Sequence, residues 1–337
     1  MKKLKMLHMG RGESLSLYTT VTEFTKSVDK VALPLGLEVA DYVKAMPDAD
    51  IIVVDAMGKV PGELIRALPD LKLIHSNGAG FNFIDIKTAA ERGIPVCNCA
   101  GMNGEAVAEQ TLLLMLGVLR NVANNDRAVR EGRQIQVKEG YMSDGSLHSL
   151  SEYKVGLIGL GHIGMCTAAL LKAFHAQTFY TQRRRKDTAT EQEYGVTWVP
   201  SQEELLKSCD IVSVHVPVTP QTERMCNEAF FSRMKQGSYF INTSRGELVD
   251  DEALVNALKS GRLKMAGLDT IDKEPVQRDH VLLNLPTEIA EKILFSPHIG
   301  GITAGSFRKG YEIIWNNIQR LANGEKPVNV VNGVFQD

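Results

Sequence analysis

The segment Val155-Gly156-Leu157-Ile158-Gly159-Leu160-Gly161-His162-Ile163-Gly164 constrains this chain more than any other. An apolar run breaks into three glycines at G-x-G-x-x-G spacing, then continues as IGMCTAALLKAF, whose apolar spacing suits an amphipathic helix. Gly159 permits a tight turn, Gly161 lets the backbone approach a pyrophosphate, and Gly164 lets helix and strand pack closely. The helix amino terminus, starting at His162 and Ile163, offers free N–H groups to an anion. A purely structural turn is the competing reading. A strand before the glycines and a helix after them favour a dinucleotide site.

Short apolar runs alternate with helical patterns along nearly the whole chain, which predicts an α/β fold of doubly wound parallel sheets. Strands are expected at 4–9, 51–54, 71–75 and 95–98, then at 155–158, 178–181, 211–216, 239–242, 265–268 and 293–295. The last six suffice for one complete dinucleotide fold. At 337 residues the chain exceeds what one core normally supports, so two domains are expected. The stretch 105–119, EAVAEQTLLLMLGVL, is apolar on nearly every face and reads as a buried helix between domains or subunits. Residues 127–153 are polar, glycine-bearing and without clear periodicity, as a linker or subunit-embracing arm would be.

The balance of 38 basic and 40 acidic residues leaves a net charge of -2, too little to gather nucleic acid or anionic lipid on the surface. Any anion site must be local. The five cysteines, Cys97, Cys99, Cys166, Cys209 and Cys226, lack zinc-site or CxxC spacing and read as reduced and structural. The longest apolar run, 111–119, falls well short of the roughly 18 to 20 residues of a membrane span. The basic start MKKLKMLHMG reads as a first strand, not a secretory signal. A cytoplasmic protein is the expectation.

Roughly twenty residues past the glycine loop, an enzyme preferring NAD carries an acid for the ribose hydroxyls. Here the strand QTFYT ends in Gln182-Arg183-Arg184-Arg185 instead, and guanidinium groups match a 2'-phosphate. NADP is therefore expected in preference to NAD. Three further residues follow strands at the carboxyl edge where such sheets bind ligands. Arg245 follows SYFIN, Glu274 follows MAGLD, and His298 follows ILF. Reducing a 2-keto acid needs a cation for its carboxylate and a proton donor at its carbonyl oxygen. A carboxylate favours the imidazolium form of a histidine bonded to it, so Glu274 would keep His298 ready to donate. Singly, each has a bland alternative: a surface arginine, a solvated loop acid, a capped core histidine.

Ordered motifs along the chain resemble those of the D-isomer-specific 2-hydroxyacid dehydrogenases. They are Asn77-Gly78-Ala79-Gly80-Phe81-Asn82-Phe83-Ile84-Asp85, Asn103-Gly104-Glu105-Ala106-Val107-Ala108-Glu109, the glycine loop, His215-Val216-Pro217-Val218-Thr219, INTSRGELVD, AGLDTIDKEP and SPHIGGIT. The resemblance implies a flavodoxin-like substrate domain, 1–103 and 296–337, with a Rossmann domain, 104–295, inserted into it. It implies that Arg245, Glu274 and His298 are the catalytic triad, that Gly78 and Ala79 receive the substrate carboxylate, and that Met57 helps line the pocket. It also implies cofactor contacts from Val216, Pro217, Thr243 and Asp269, and a homodimer formed through 105–121 and the following arm.

Gln182, Arg183 and Arg184 look like the pattern of NADPH-preferring glyoxylate/hydroxypyruvate reductases, making a small 2-keto acid the expected substrate. No arginine cluster accompanies Met57, which argues against a phosphorylated one. D-lactate or aromatic D-2-hydroxy acids of the same family remain open. A formate dehydrogenase fits less well, because Glu274 and the SPHIGG context provide a carbonyl proton that formate oxidation does not require. A cofactor-sensing, co-repressor-like protein fits poorly with the retained triad.

Overall fold

Apolar runs of four or five residues become strands where both faces can be covered, and the second half of each βαβ unit supplies the cover. In the computed structural model, which describes residues 3–335, the chain forms two units. One comprises Met1–Asn103 and Ile302–Asp337, the other Gly104–Gly301.

The first unit holds five parallel strands: β1 Lys5–Met9, β2 Asp29–Leu33, β3 Ile51–Asp55, β4 Leu73–Asn77 and β5 Val96–Cys97. Their order, β2-β1-β3-β4-β5, is that of flavodoxin-like sheets. Ile51, Ile52 and Val53 at its centre are fully buried. The chain returns at its end to complete this unit with the helix Ala304–Ala322, which buries Tyr311, Ile314, Trp315 and Ile318 at helical spacing. Thr303 caps it by accepting a hydrogen bond from Ser306 N–H.

Seven parallel strands build the second unit: β6 Lys154–Ile158, β7 Gln177–Thr181, β8 Val196–Trp198, β9 Ile211–Val214, β10 Ser238–Asn242, β11 Leu263–Leu268 and β12 Ile293–Phe295. The order β12-β11-β10-β9-β6-β7-β8 is a doubly wound sheet whose direction of winding reverses between β6 and β9. The helix Gly104–Leu119 lies against β10, β11 and β12, and the helix His162–Ala173 packs against it. Among the described residues no single helix is long and apolar enough to cross a membrane.

Several expectations need correction. Two strands were not foreseen. β2, DKVAL, is a half-exposed edge strand carrying two charges, and β8 is only three residues long. The strand expected at 71–75 begins at Leu73, because Leu71 N–H still closes a turn onto Leu68. The strand expected at 211–216 stops at Val214, short of Pro217, which has no N–H for a ladder. Residues 127–153 are not irregular: they fall largely within the helices Val122–Arg130 and Gln134–Asp144. The second of these buries none of its residues, so no apolar stripe marks it in the sequence. The unit boundary lies at 301/302, not 295/296, because Ser296, Ile299 and Gly300 are hydrogen-bonded to Asp269 of the second unit. Residues 1, 2, 336 and 337 at the ends of the expected substrate domain lie outside the described residues.

Candidate active site

The three glycines after β6 differ in why they must be glycine. A Cβ on Gly159, whose φ is +98°, would lie 2.5 Å from the His215 carbonyl oxygen, and one on Gly164 would lie 2.5 Å from that of Gly159. Those two serve the turn and the helix–strand approach. A Cβ on Gly161 would meet nothing within 4 Å, and its φ of -74° suits any residue. The fold does not require Gly161, whereas a pyrophosphate approaching the backbone would. His162 and Ile163 open the following helix, with the His162 ring against Gly104. Val216 and Pro217 follow β9 at the same edge, where a Gly159 Cβ would approach Val216 Cγ1 to 3.0 Å.

At the end of β7, Gln182 Oε1 accepts from Leu160 N–H at 2.9 Å, and its Nε2 donates to the Arg184 carbonyl at 2.6 Å. The glutamine thus braces the glycine loop from the neighbouring strand. Arg183 and Arg184 are exposed, with no side-chain hydrogen bond or ion pair among the described residues. Arg185 is committed elsewhere. It pairs with Glu191 at 2.7 Å, and that pairing together with the Tyr180 hydroxyl holds the Glu191 carboxyl down to about 2. Of the three arginines, two are free to meet a ligand.

Arg245, Glu274 and His298 all belong to the second unit and follow β10, β11 and β12, which are adjacent in the sheet. His298 Nδ1 and Glu274 Oε2 are 2.5 Å apart. Glu274 Oε1 accepts from Ile271 N–H at 3.0 Å. Burial alone would raise the Glu274 pKa, but the bonds from His298 and Ile271, with the charges of His298 and Arg245, outweigh it and hold the group below its ordinary value. An ionised Glu274 accepts only, so Nδ1 carries the proton in this bond and Nε2 is left for other partners.

The Arg245 turn is pinned by Asn242, whose Nδ2 donates to the Arg245 carbonyl at 2.8 Å while its Oδ1 accepts from Ser244 N–H at 3.0 Å. At the next residue a Gly246 Cβ would lie 2.0 Å from the Ile271 carbonyl carbon. Only glycine lets the Arg245 and Glu274 loops touch backbone to backbone. His298 itself has φ +55°, a left-handed conformation uncommon outside glycine. The flanking turn is held by Asp269, which accepts from Ile299 N–H at 3.1 Å, Gly300 N–H at 2.9 Å and the Ser296 hydroxyl. Asp269 and Thr243 are both buried, and the Thr243 hydroxyl lies 2.8 Å from that of Thr111.

In the first unit, the loop after β4 has all three carbonyls tied down. Gly78 O accepts from Cys99 N–H, Ala79 O from Asn98 Nδ2 and Gly80 O from the Ser76 hydroxyl. Among the described residues, the N–H groups of Gly78, Ala79 and Gly80 donate to nothing. Of the three, Gly78 is buried and Ala79 is exposed. Met57 is exposed in the loop after β3, beside Ala56, against which Gly78 packs.

Sequence reasoning missed the residues that hold the triad: Asn242, Gly246, Ile271, Ser296, Gln110 and Thr111. Gln110 and Thr111 did leave a trace, as polar residues inside the most apolar helix of the chain. None of the five cysteines forms a disulfide among the described residues. Burial pushes the thiols of Cys97 and Cys99 up to about 12 and that of Cys209 up to about 11, so these three are protonated structural residues.

The NAD binding domain of the D-isomer specific 2-hydroxyacid dehydrogenases matches residues 112–300. The chain is similar to a glyoxylate reductase of Thermofilum pendens, 34% identical over 87% of this chain and 84% of that protein. It is 36% identical over 79% of its length to the dehydrogenase efuE of Hormonema carpetanum, of which it spans 64%. A solved structure of the NADPH-dependent glyoxylate/hydroxypyruvate reductase of Sinorhizobium meliloti, in complex with NADP and malonate, matches with a TM-score of 0.77 at 26% identity, covering 98% of this chain and 97% of that one.

Proposed function

Because the chain belongs to the D-isomer-specific 2-hydroxyacid dehydrogenases, NAD-binding oxidoreductases acting on CH–OH groups, we propose that it is an NADPH-dependent reductase of a small 2-keto acid such as glyoxylate or hydroxypyruvate. The observation that carries the reading is the Glu274–His298 bond with the Arg245 charge beside it. A reduced nicotinamide dinucleotide would be held by its pyrophosphate at Gly159, Gly161, His162, Ile163 and Gly164 and would supply a hydride to the keto carbon.

The protein's own residues do the rest. Arg245 binds the carboxylate and draws electron density onto the carbonyl oxygen. His298 delivers the proton from Nε2 to that oxygen as it becomes an alkoxide. Glu274, ionised and bonded to Nδ1, orients the ring and stabilises its cationic form before transfer. The free N–H groups at Gly78 and Ala79 receive the carboxylate from the first unit, and Met57 lies against the substrate's side chain. Asp269, Thr243, Val216 and Pro217 border the nicotinamide end. In reverse, the same residues oxidise the D-hydroxy acid.

NADPH preference rests on the two unpaired guanidinium groups, Arg183 and Arg184, and on an amide at Gln182 where a carboxylate would repel a 2'-phosphate. The Sinorhizobium relative's use of NADPH agrees with it. A homodimer is proposed through 105–121 and the helices after it, whose apolar side chains Leu113, Val129, Ile135 and Met142 are exposed in the single chain.

A steady-state assay of glyoxylate, hydroxypyruvate, pyruvate and phenylpyruvate with NADPH and with NADH tests substrate and cofactor together. Highest kcat/KM with glyoxylate or hydroxypyruvate and NADPH is expected. Preference for pyruvate or phenylpyruvate would move the protein to the lactate or aromatic branch, and no turnover with any would refute the reading.

A further inference from the structure

In the helix Gly104–Leu119 the adjacent polar residues Gln110 and Thr111 each reach a different catalytic loop. Gln110 Nε2 donates to the Ser296 hydroxyl at 2.8 Å. That hydroxyl donates in turn to Asp269, whose carboxylate gathers Ile299 and Gly300 N–H and so holds the turn bearing His298. The helix also touches this turn directly, since a Cβ on Gly300 would come within 3.4 Å of Gln110 Cβ.

One residue on, the Thr111 hydroxyl donates to the Val107 carbonyl at 2.8 Å. A hydroxyl has one proton, so the 2.8 Å contact with Thr243 must run from Thr243 to Thr111. Thr243 directly follows β10 and precedes Arg245 by two residues. Thr111 is fully buried, where an apolar residue of its size would pack as well without needing a partner. The helix is seated closely: a Cβ on Gly267 of β11 would lie 3.0 Å from Leu114 Cβ, and one on Gly117 would lie 2.4 Å from Leu294 Cδ2 of β12.

We propose that Gln110 and Thr111 are positioning residues that fix the spacing between His298 and Arg245 by tying both loops to one rigid helix. The proposal rests on the reductase reading above. A rigid element shared by both loops sets where the proton donor lies relative to the bound carboxylate. Releasing either loop costs rate and leaves the pyrophosphate loop and the Gln182–Arg184 strand end, on the β6–β7 side of the sheet, intact.

Gln110→Leu, Thr111→Val and Ser296→Ala remove the links singly, the last without altering the helix. Each is expected to lower kcat for 2-keto acid reduction by about 10-fold or more and to change the NADPH Kd several-fold less than kcat, because small misplacement of reacting groups is costly while the pyrophosphate loop is untouched. Thr111→Ser, which keeps the hydroxyl, is expected to restore kcat. In a His298→Ala background, Gln110→Leu and Ser296→Ala are expected to cost nothing further, since they act through His298, whereas Thr111→Val still lowers the residual rate. Active wild-type enzyme with unchanged kcat in all three variants, or with only a lowered Tm, overturns this proposal alone. The same holds if Gln110→Leu keeps its full penalty without His298. A wild type that reduces no 2-keto acid refutes the reading beneath it and the proposal together.

Discussion

Glu274 is the residue on which the site's charge state turns. Its pKa is displaced downward in the folded protein, because its bonds to His298 and Ile271, and the nearby charges, outweigh its burial. A group whose folded pKa is depressed stabilises the fold above its ordinary pKa, and that stabilisation disappears as pH falls through the folded value. Glu274→Gln is therefore expected to lower Tm at neutral pH, with the two melting curves converging only below pH 4.5, the ordinary value. A constant gap down to strong acid would contradict the assignment. Gln182 offers a second residue-scale test. Gln182→Asp is expected to raise the ratio of kcat/KM for NADH over NADPH by about 10-fold or more, since a carboxylate repels a 2'-phosphate and one charge-assisted contact is worth more than 1 kcal/mol. An unchanged ratio would count against the placement of Arg183 and Arg184. The triad was legible in the sequence because each member follows its own strand. Gly246 and Ser296 were not, because their importance lies in contacts with residues some 25 positions away that local pattern does not encode.

At the scale of elements, strands declared themselves where they are central and buried. β3 and β6 read as unbroken apolar runs, whereas β2 at a sheet edge alternates charge with half-burial and carries no such signal. The helix Gln134–Asp144 was invisible for the same reason: it buries no side chain against its own chain, so no apolar stripe marks it. The meeting of the Arg245 and Glu274 loops is an element-scale device that depends on a missing Cβ. Gly246→Ala is expected to force these loops apart, lowering stability by about 1–3 kcal/mol as overpacking does. It should also cut kcat/KM by at least about 10-fold through displacement of the reacting groups. Wild-type Tm and kcat/KM in Gly246→Ala would show that the loops do not need this approach.

For the whole molecule, the two-sheet plan was legible from length and from the alternation of strands and helices. The chain's return to its first sheet was supplied by the family resemblance and not by local pattern. The proposed homodimer would cover the exposed apolar side chains after residue 119, with Met142 74% exposed and Ile135 57% exposed on a helix that buries nothing. Sedimentation is expected to give a dimer for the wild type and a monomer for the double variant Ile135→Glu, Met142→Lys. A dimer unaffected by both changes would place the interface elsewhere. The proposed reduction depends on His298 acting as the proton donor, backed by Glu274. Its most direct test is His298→Ala, assayed for 2-keto acid reduction and, separately, for NADPH binding. A fall in kcat of about 100- to 10,000-fold with an unchanged NADPH Kd is expected of a lost general acid. A variant that turns over like the wild type would contradict it.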